Sequence, residues 1–181
     1  MKKSILFIAL VAATGSLFAQ KKTTTSGTVN FDATTSLDTK PKAENKTVIV
    51  ALDPSKGTVA FEVPIKSFTF ENPKMQEHFN SAGWLDSEKY PTATFKGNIT
   101  NLSAINLTAD GTYDANVEGD LTIHGVTKHV QTNGKITVKG SALAVNAQFP
   151  IKLADYNIDA PQVGAGKVSK EPIITVSAEL Q

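Results

Sequence analysis

Between Tyr113 and Ile123 the chain alternates with a period of two: Tyr113, Ala115, Val117, Leu121 and Ile123 share one side, with Gly119 in phase, and Asp114, Asn116, Glu118, Asp120 and Thr122 share the other. Only an extended strand sends successive side chains to opposite faces, so this stretch belongs to a sheet with one buried and one wet face, the habit of antiparallel sheets. His124-Gly125 supplies a reversal into a second strand at 126–132. Shorter runs of the same kind place strands near 28–34, 46–53, 58–70, 92–100, 104–109, 112–124, 135–139, 143–153 and 172–180. Asp53-Pro54 with Gly57, Asp110-Gly111 and Asn133-Gly134 read as the turns between them.

Many short strands joined by tight turns make a sandwich or a barrel. The antiparallel barrel is favoured because closure removes free edges and can enclose a cavity. Val59, Phe61, Val63 and Ile65 point one way, and Phe68 and Phe70 are out of phase with them, which predicts a bulge near Lys66-Ser67. One helix interrupts this all-β pattern. Met75, His78, Phe79 and Ala82 follow helical spacing, Asn72 fits the cap, Pro73 the first turn, and Gly83 the left-handed end. The helix is expected to cover part of one barrel opening.

The first residues read as an export leader: Lys2 and Lys3, an apolar run from Ile5 to Val11, then small residues to Phe18-Ala19-Gln20. The run is well short of the ~20 residues of a spanning helix. The expected organisation is therefore a signal peptide over residues 1–19, a polar flexible leader over 20–27, and one barrel domain over 28–181, periplasmic or secreted. Losing Lys2 and Lys3 takes the formal charge from +1 to −1. The chain has no arginine and no cysteine. Without a basic, guanidinium-bearing surface it is not a nucleic-acid binder, and it forms no disulfide.

Catalysis finds little foothold. His78, His124 and His129 fall on the helix face, in a turn and on a strand, so no metal cluster is expected. No serine lies in a G-x-S-x-G elbow, and Asp86, Glu118 and Asp120 sit at solvent-facing positions. Gly164-x-Gly166 opens no helix and is no dinucleotide site. Asn45, Asn98, Asn101 and Asn106 begin N-x-[ST] triplets, which abundant Asn and Thr produce by chance. The chain is read as a non-enzyme with no catalytic residue, no metal and no cofactor.

Two segments carry a resemblance: H-F…W-L-D-S-E-K-Y-P-x-A-T-F-K-G at residues 78–97, and G-D-L-T-I-H-G-V-T-K at 119–128. In them the chain resembles the YceI-like family, lipocalin-like secreted proteins associated with polyisoprenoid lipids. The resemblance spans roughly residues 28–180. It implies an antiparallel lipocalin-like β-barrel with one short helix near the barrel mouth, and a partner that is an isoprenoid or other apolar lipid. The histidine usual in an early strand and the family's arginines are missing here.

A small barrel either fills its lumen or leaves a pocket. If a pocket is left, Phe61, Phe70, Phe79, Trp84 and Phe95 are candidate wall residues, with His78, Tyr90 and Lys96 at the mouth. Two rival readings stay open: the same barrel with a filled core acting through its surface in envelope stress or assembly, and a metal-dependent hydrolase. The oligomeric state is left open. N-terminal sequencing of exported protein should find Gln20 first; the intact chain recovered with the membrane fraction would contradict the leader.

Overall fold

The computed structural model describes residues 21–181; the expected export leader and its cleavage after Ala19 lie outside the described residues. Nine strands form one antiparallel sheet: β1 (Lys22–Asp32), β2 (Lys42–Asp53), β3 (Thr58–Pro64), β4 (Thr69–Phe70), β5 (Thr92–Ile99), β6 (Gly111–Ile123), β7 (Val126–Lys139), β8 (Ala142–Pro150) and β9 (Ile173–Leu180). Eight of them close into a barrel, because β1 pairs with β9 on one side and β2 on the other, and two-residue β4 pairs with Ala43 and Glu44 on the side of β2 that carries β3. The helix α1 (Pro73–Asn80) lies between β4 and β5, and the one-turn helix α2 (Pro161–Gly164) between β8 and β9.

Alternation in the sequence becomes inside and outside in the barrel. On β6, Ala115, Leu121 and Ile123 are buried while Asp114, Asn116 and Asp120 are exposed. The His124-Gly125 reversal forms with both residues at positive φ, 51° and 73°, the geometry of a tight hairpin turn. Asp53 shapes the β2–β3 turn by accepting from the N–H groups of Ser55 and Lys56. The Ser55 hydroxyl, donating to it at 2.6 Å, helps hold its carboxyl below the ordinary aspartate value.

Several expectations need correction. The polar residues 22–26 are strand: Lys22 pairs with Leu52 and Thr24 with Val50, because β-branched threonines suit a sheet whatever their polarity. Asn133-Gly134 is no turn; Asn133 faces Asn116, and Gly134 faces Ala115 and Ala147, within one 14-residue β7. Residues 104–109 form no strand, only a 3₁₀ turn at Leu102–Ala104 and a loop. The phase slip before Phe68 is a 3₁₀ turn at Ile65–Ser67 rather than a bulge.

Around α1, Asn72 caps through its side chain, accepting from the Lys74 N–H at 2.9 Å, with Pro73 in the first turn. The helix ends at Asn80, and the left-handed residue that follows is Asp86 (φ 45°), not Gly83. His78 and Ala82 are exposed, so the inward face of α1 is the buried Phe79 with half-buried Met75 packed against the core.

The two faces of β6 give a direct test. Leu121→Asp would bury a charge against the apolar interior and should lower stability by about 3–5 kcal/mol, whereas Thr122→Asp on the outer face should change it by less than about 1 kcal/mol. Denaturant midpoints of the two variants decide it.

Candidate functional site

The barrel encloses a cavity of about 170 Å³. Inward positions on six consecutive strands form its wall: Phe61 and Val63 on β3, Phe95 on β5, Val117 on β6, Val130 on β7, Val145 and Phe149 on β8, Ile174 and Val176 on β9. All of these point inward yet are only half-buried. Val48, Val50 and Leu180, also inward, are sealed completely. The middle of the barrel is therefore open and its margins are packed.

Two glycines on the wall make room for an aromatic ring. Gly97 on β5 and Gly119 on β6 face each other in register. The Phe95 ring leans along the wall over Gly97, where an added Cβ would lie 2.6 Å from its Cζ. A Cβ on Gly119 would collide with the Gly97 Cα and the Lys96 carbonyl. These are the glycines of the F-K-G and G-D-L motifs. The backbone approach they permit lets Phe95 lie against the sheet, with Phe61 6.3 Å from it between ring centres.

One end of the barrel is closed by aromatic packing. Phe79 projects from α1 into a nest of Phe31, Phe68 and Phe70, at ring-centre distances of 5.5, 5.3 and 5.0 Å. Trp84 and Leu85 lie beside it, buried and touching the cavity. The segment after β8 covers the same end with Leu153, Tyr156, Ile158 and Val163, all buried. Burial pushes the Tyr156 phenol above its ordinary value, so the buried ring stays neutral. The His124 Nδ1–H donates to the Tyr156 carbonyl at 3.1 Å, and the Tyr90 ring packs edge-on against His124 at 4.9 Å, fixing the β6–β7 hairpin tip to the cover.

The eight candidate residues separate into groups. Phe61, Phe79, Trp84 and Phe95 touch the cavity. Phe70 is buried against Phe79 and Phe31 and does not touch the cavity. His78 is exposed on the far side of α1, Lys96 points outward from β5, and Tyr90 braces the hairpin; none of these three lines the lumen. His129 lies on the outer face beside Asp120 at 3.1 Å. Among the described residues no group of three or more His, Asp or Glu is placed to hold a metal ion.

Sequence reasoning missed Val130, Thr132, Val145, Phe149, Ile174 and Val176 as wall residues. Their two-residue period was the available signal, but it marks every inward residue alike. Of the side chains around the cavity only Lys135 carries a charge, and it points outward, paired with Asp114 at 2.7 Å. The interior can exclude water and hold hydrocarbon along its apolar wall.

A family model for the YceI-like domain matches residues 9–180. The chain belongs to the YceI-like family. It is 29% identical over 156 residues to Protein YceI of Escherichia coli O17:K52:H18, covering 83% of this chain and 70% of that protein. It is 30% identical over 132 residues to a UPF0312 protein of Pseudomonas putida F1, covering 70% of this chain and 63% of that one. Among solved structures, the fold is shared with a polyisoprenoid-binding domain from Saccharophagus degradans (TM-score 0.74, 15% identity, 89% of this chain and 97% of that). It is shared as well with BcnA of Burkholderia cenocepacia (TM-score 0.69, 21% identity, 86% and 96%).

The glycine pair separates a required close approach from a free position. Gly119→Ala should cost about 1–3 kcal/mol, since its Cβ meets backbone that cannot rotate away. Gly83→Ala, with nothing within 4 Å of the new Cβ, should stay within about 0.5 kcal/mol of the parent in chemical denaturation.

Proposed function

We propose that this protein is an exported, non-catalytic carrier or sequestering protein for a long apolar lipid, an isoprenoid-tailed one by preference, with the tail buried in the barrel lumen. The observation that carries the reading is the set of inward, half-buried apolar residues around a cavity of about 170 Å³. A core designed only for stability would seal them. The polyisoprenoid-binding domain that shares the fold supports the choice of tail.

Magnitudes favour a long tail over a small molecule. A dry apolar cavity of roughly 150 Å³ is enough to admit a benzene-sized group, so the lumen as it stands takes a slender segment and no bulky ring system. Each buried CH₂ contributes about 0.8 kcal/mol, and a micromolar Kd needs about −8 kcal/mol. Roughly ten carbons must therefore be buried before any cost of association is counted. Rotation of wall side chains such as Phe61 and Phe95 would lengthen the space to accommodate them.

Trp84, the single tryptophan, touches the cavity and reports its occupancy. Titration with geranylgeraniol should shift Trp84 emission saturably, and Phe61→Ala should weaken binding while the barrel stays folded. Phe79→Ala should instead cost about 3–5 kcal/mol of stability, because that ring is the centre of the aromatic nest. Emission indifferent to every long apolar compound tried would replace this reading with the filled, surface-acting barrel.

A further inference from the structure

Both ends of the barrel are covered. At one end lie α1 and the segment after β8, and at the other the residues between β5 and β6 turn in, with Ile105 buried and Leu102 packed on the core. A tail in the lumen therefore needs another route, and the strand registers show one. β6 pairs with β7 along its whole length, from Val126 to Val138. β8 pairs with β7 only from Lys139 to Gly134, and from Gln148 to Pro150 it pairs with β9 alone. Residues 126–133 of β7 thus have a strand partner on one side only. At ~3.3 Å per residue this unpaired edge runs on the order of 25 Å.

The geometry points to this side slot between β7 and β8 as the portal through which an apolar chain enters and leaves the lumen. The inference rests on the lipid-binding reading and adds the route. Val130 and Thr132 on the β7 bank and Ala147 and Phe149 on the β8 bank all touch the cavity. Lys135 and Asn146, cross-strand partners in the ladder that ends at the slot, also border the cavity, with side chains that face solvent.

Local chemistry keeps the slot from zipping shut. Pro150, the last residue of β8, has no N–H to give to a ladder. The far end of the slot is held by the hairpin tip, fixed through His124 to the Tyr156 carbonyl. Lys128 occupies an inward register position on β7 and is nevertheless exposed, as a residue facing an opening is. A lysine there also discourages the free edge from recruiting a foreign strand.

The chain has no cysteine, so one introduced thiol can be capped selectively. Gln148→Cys on the β8 bank and Lys128→Cys on the β7 bank place it on the slot, both at exposed positions outside the cavity wall, and Ala82→Cys, exposed after α1, places it over the covered end. Each variant is loaded with decylubiquinone, capped with a polyethylene-glycol maleimide, and exchanged in stopped flow with Trp84 quenching as the signal. Caps on either slot residue should slow uptake and release together by about ten-fold, with Kd changed by less than about two-fold; the Ala82 cap should alter neither rate.

Unchanged exchange under both slot caps, with binding intact, overturns the portal and leaves the lumen as the site. Slowing by the Ala82 cap alone moves the route to the end. Weakened Kd with unchanged release also overturns the portal, since it marks a cap that fills the lumen. No saturable quenching in the uncapped parent overturns the lipid reading and the portal with it.

Discussion

Because β1 is hydrogen-bonded to β9 along one edge and to β2 along the other, the sheet has no first or last strand, and the inward residues of eight strands are forced to share one interior. That closure is irregular. The β1–β2 register shifts on both sides of Gly27, and Asn45 is buried completely opposite Val29. Asn45 is bonded at both ends of its amide: its Nδ2 donates to the Pro64 carbonyl at 2.7 Å, and its Oδ1 accepts from the Thr47 N–H and hydroxyl. It ties the closing strand to the end of β3, where the chain leaves the barrel to build α1. A buried amide left without such partners would cost about 1–3 kcal/mol per group, so the polar contact is compatible with the apolar surroundings because both its nitrogen and its oxygen are hydrogen-bonded.

Within the closed ring, stability and binding are divided by position. The Phe31, Phe68, Phe70 and Phe79 nest and the Val48, Val50, Leu52 and Leu180 positions are sealed and carry the packing. The central wall is left open, and Gly97 and Gly119 let the Phe95 ring lie along it instead of across it. An empty apolar space has a price in lost contacts, and the densely packed ends offset it. The fold is thus a rigid frame around a compliant middle, which suits a ligand recognised by length and hydrophobicity more than by a head group.

Much of this was legible one segment at a time. The faces of β6, the hairpin at His124-Gly125, and the Asn72-Pro73 start of α1 depend on the residues themselves, and they form as read. Errors came where a distant partner overrode a local signal. Asn133-Gly134 has turn chemistry, but ladders from β6 and β8 on either side hold it extended. Residues 22–26 resemble a loose polar leader until β2 pairs with them. Gly83 fits a helix end, yet the chain turns with Asp86 because the Leu85 N–H reaches the Phe79 carbonyl and the Asp86 N–H reaches the Ser81 carbonyl.

The sequence by itself determined the fold class and the shared faces of β3 and β6, because a period of two and turn chemistry act over a few neighbouring residues. Which inward aromatics face the open lumen and which face packed core was decided only by the tertiary structure. Phe70 and Phe79 read alike as apolar positions, but Phe79 touches the cavity and Phe70 packs only within the aromatic nest. The opening between β7 and β8 was equally invisible, since it follows from the register of strands far apart in the chain. Register is a property of the assembled sheet, set when long-range pairs satisfy their backbone groups together, and no single segment encodes it.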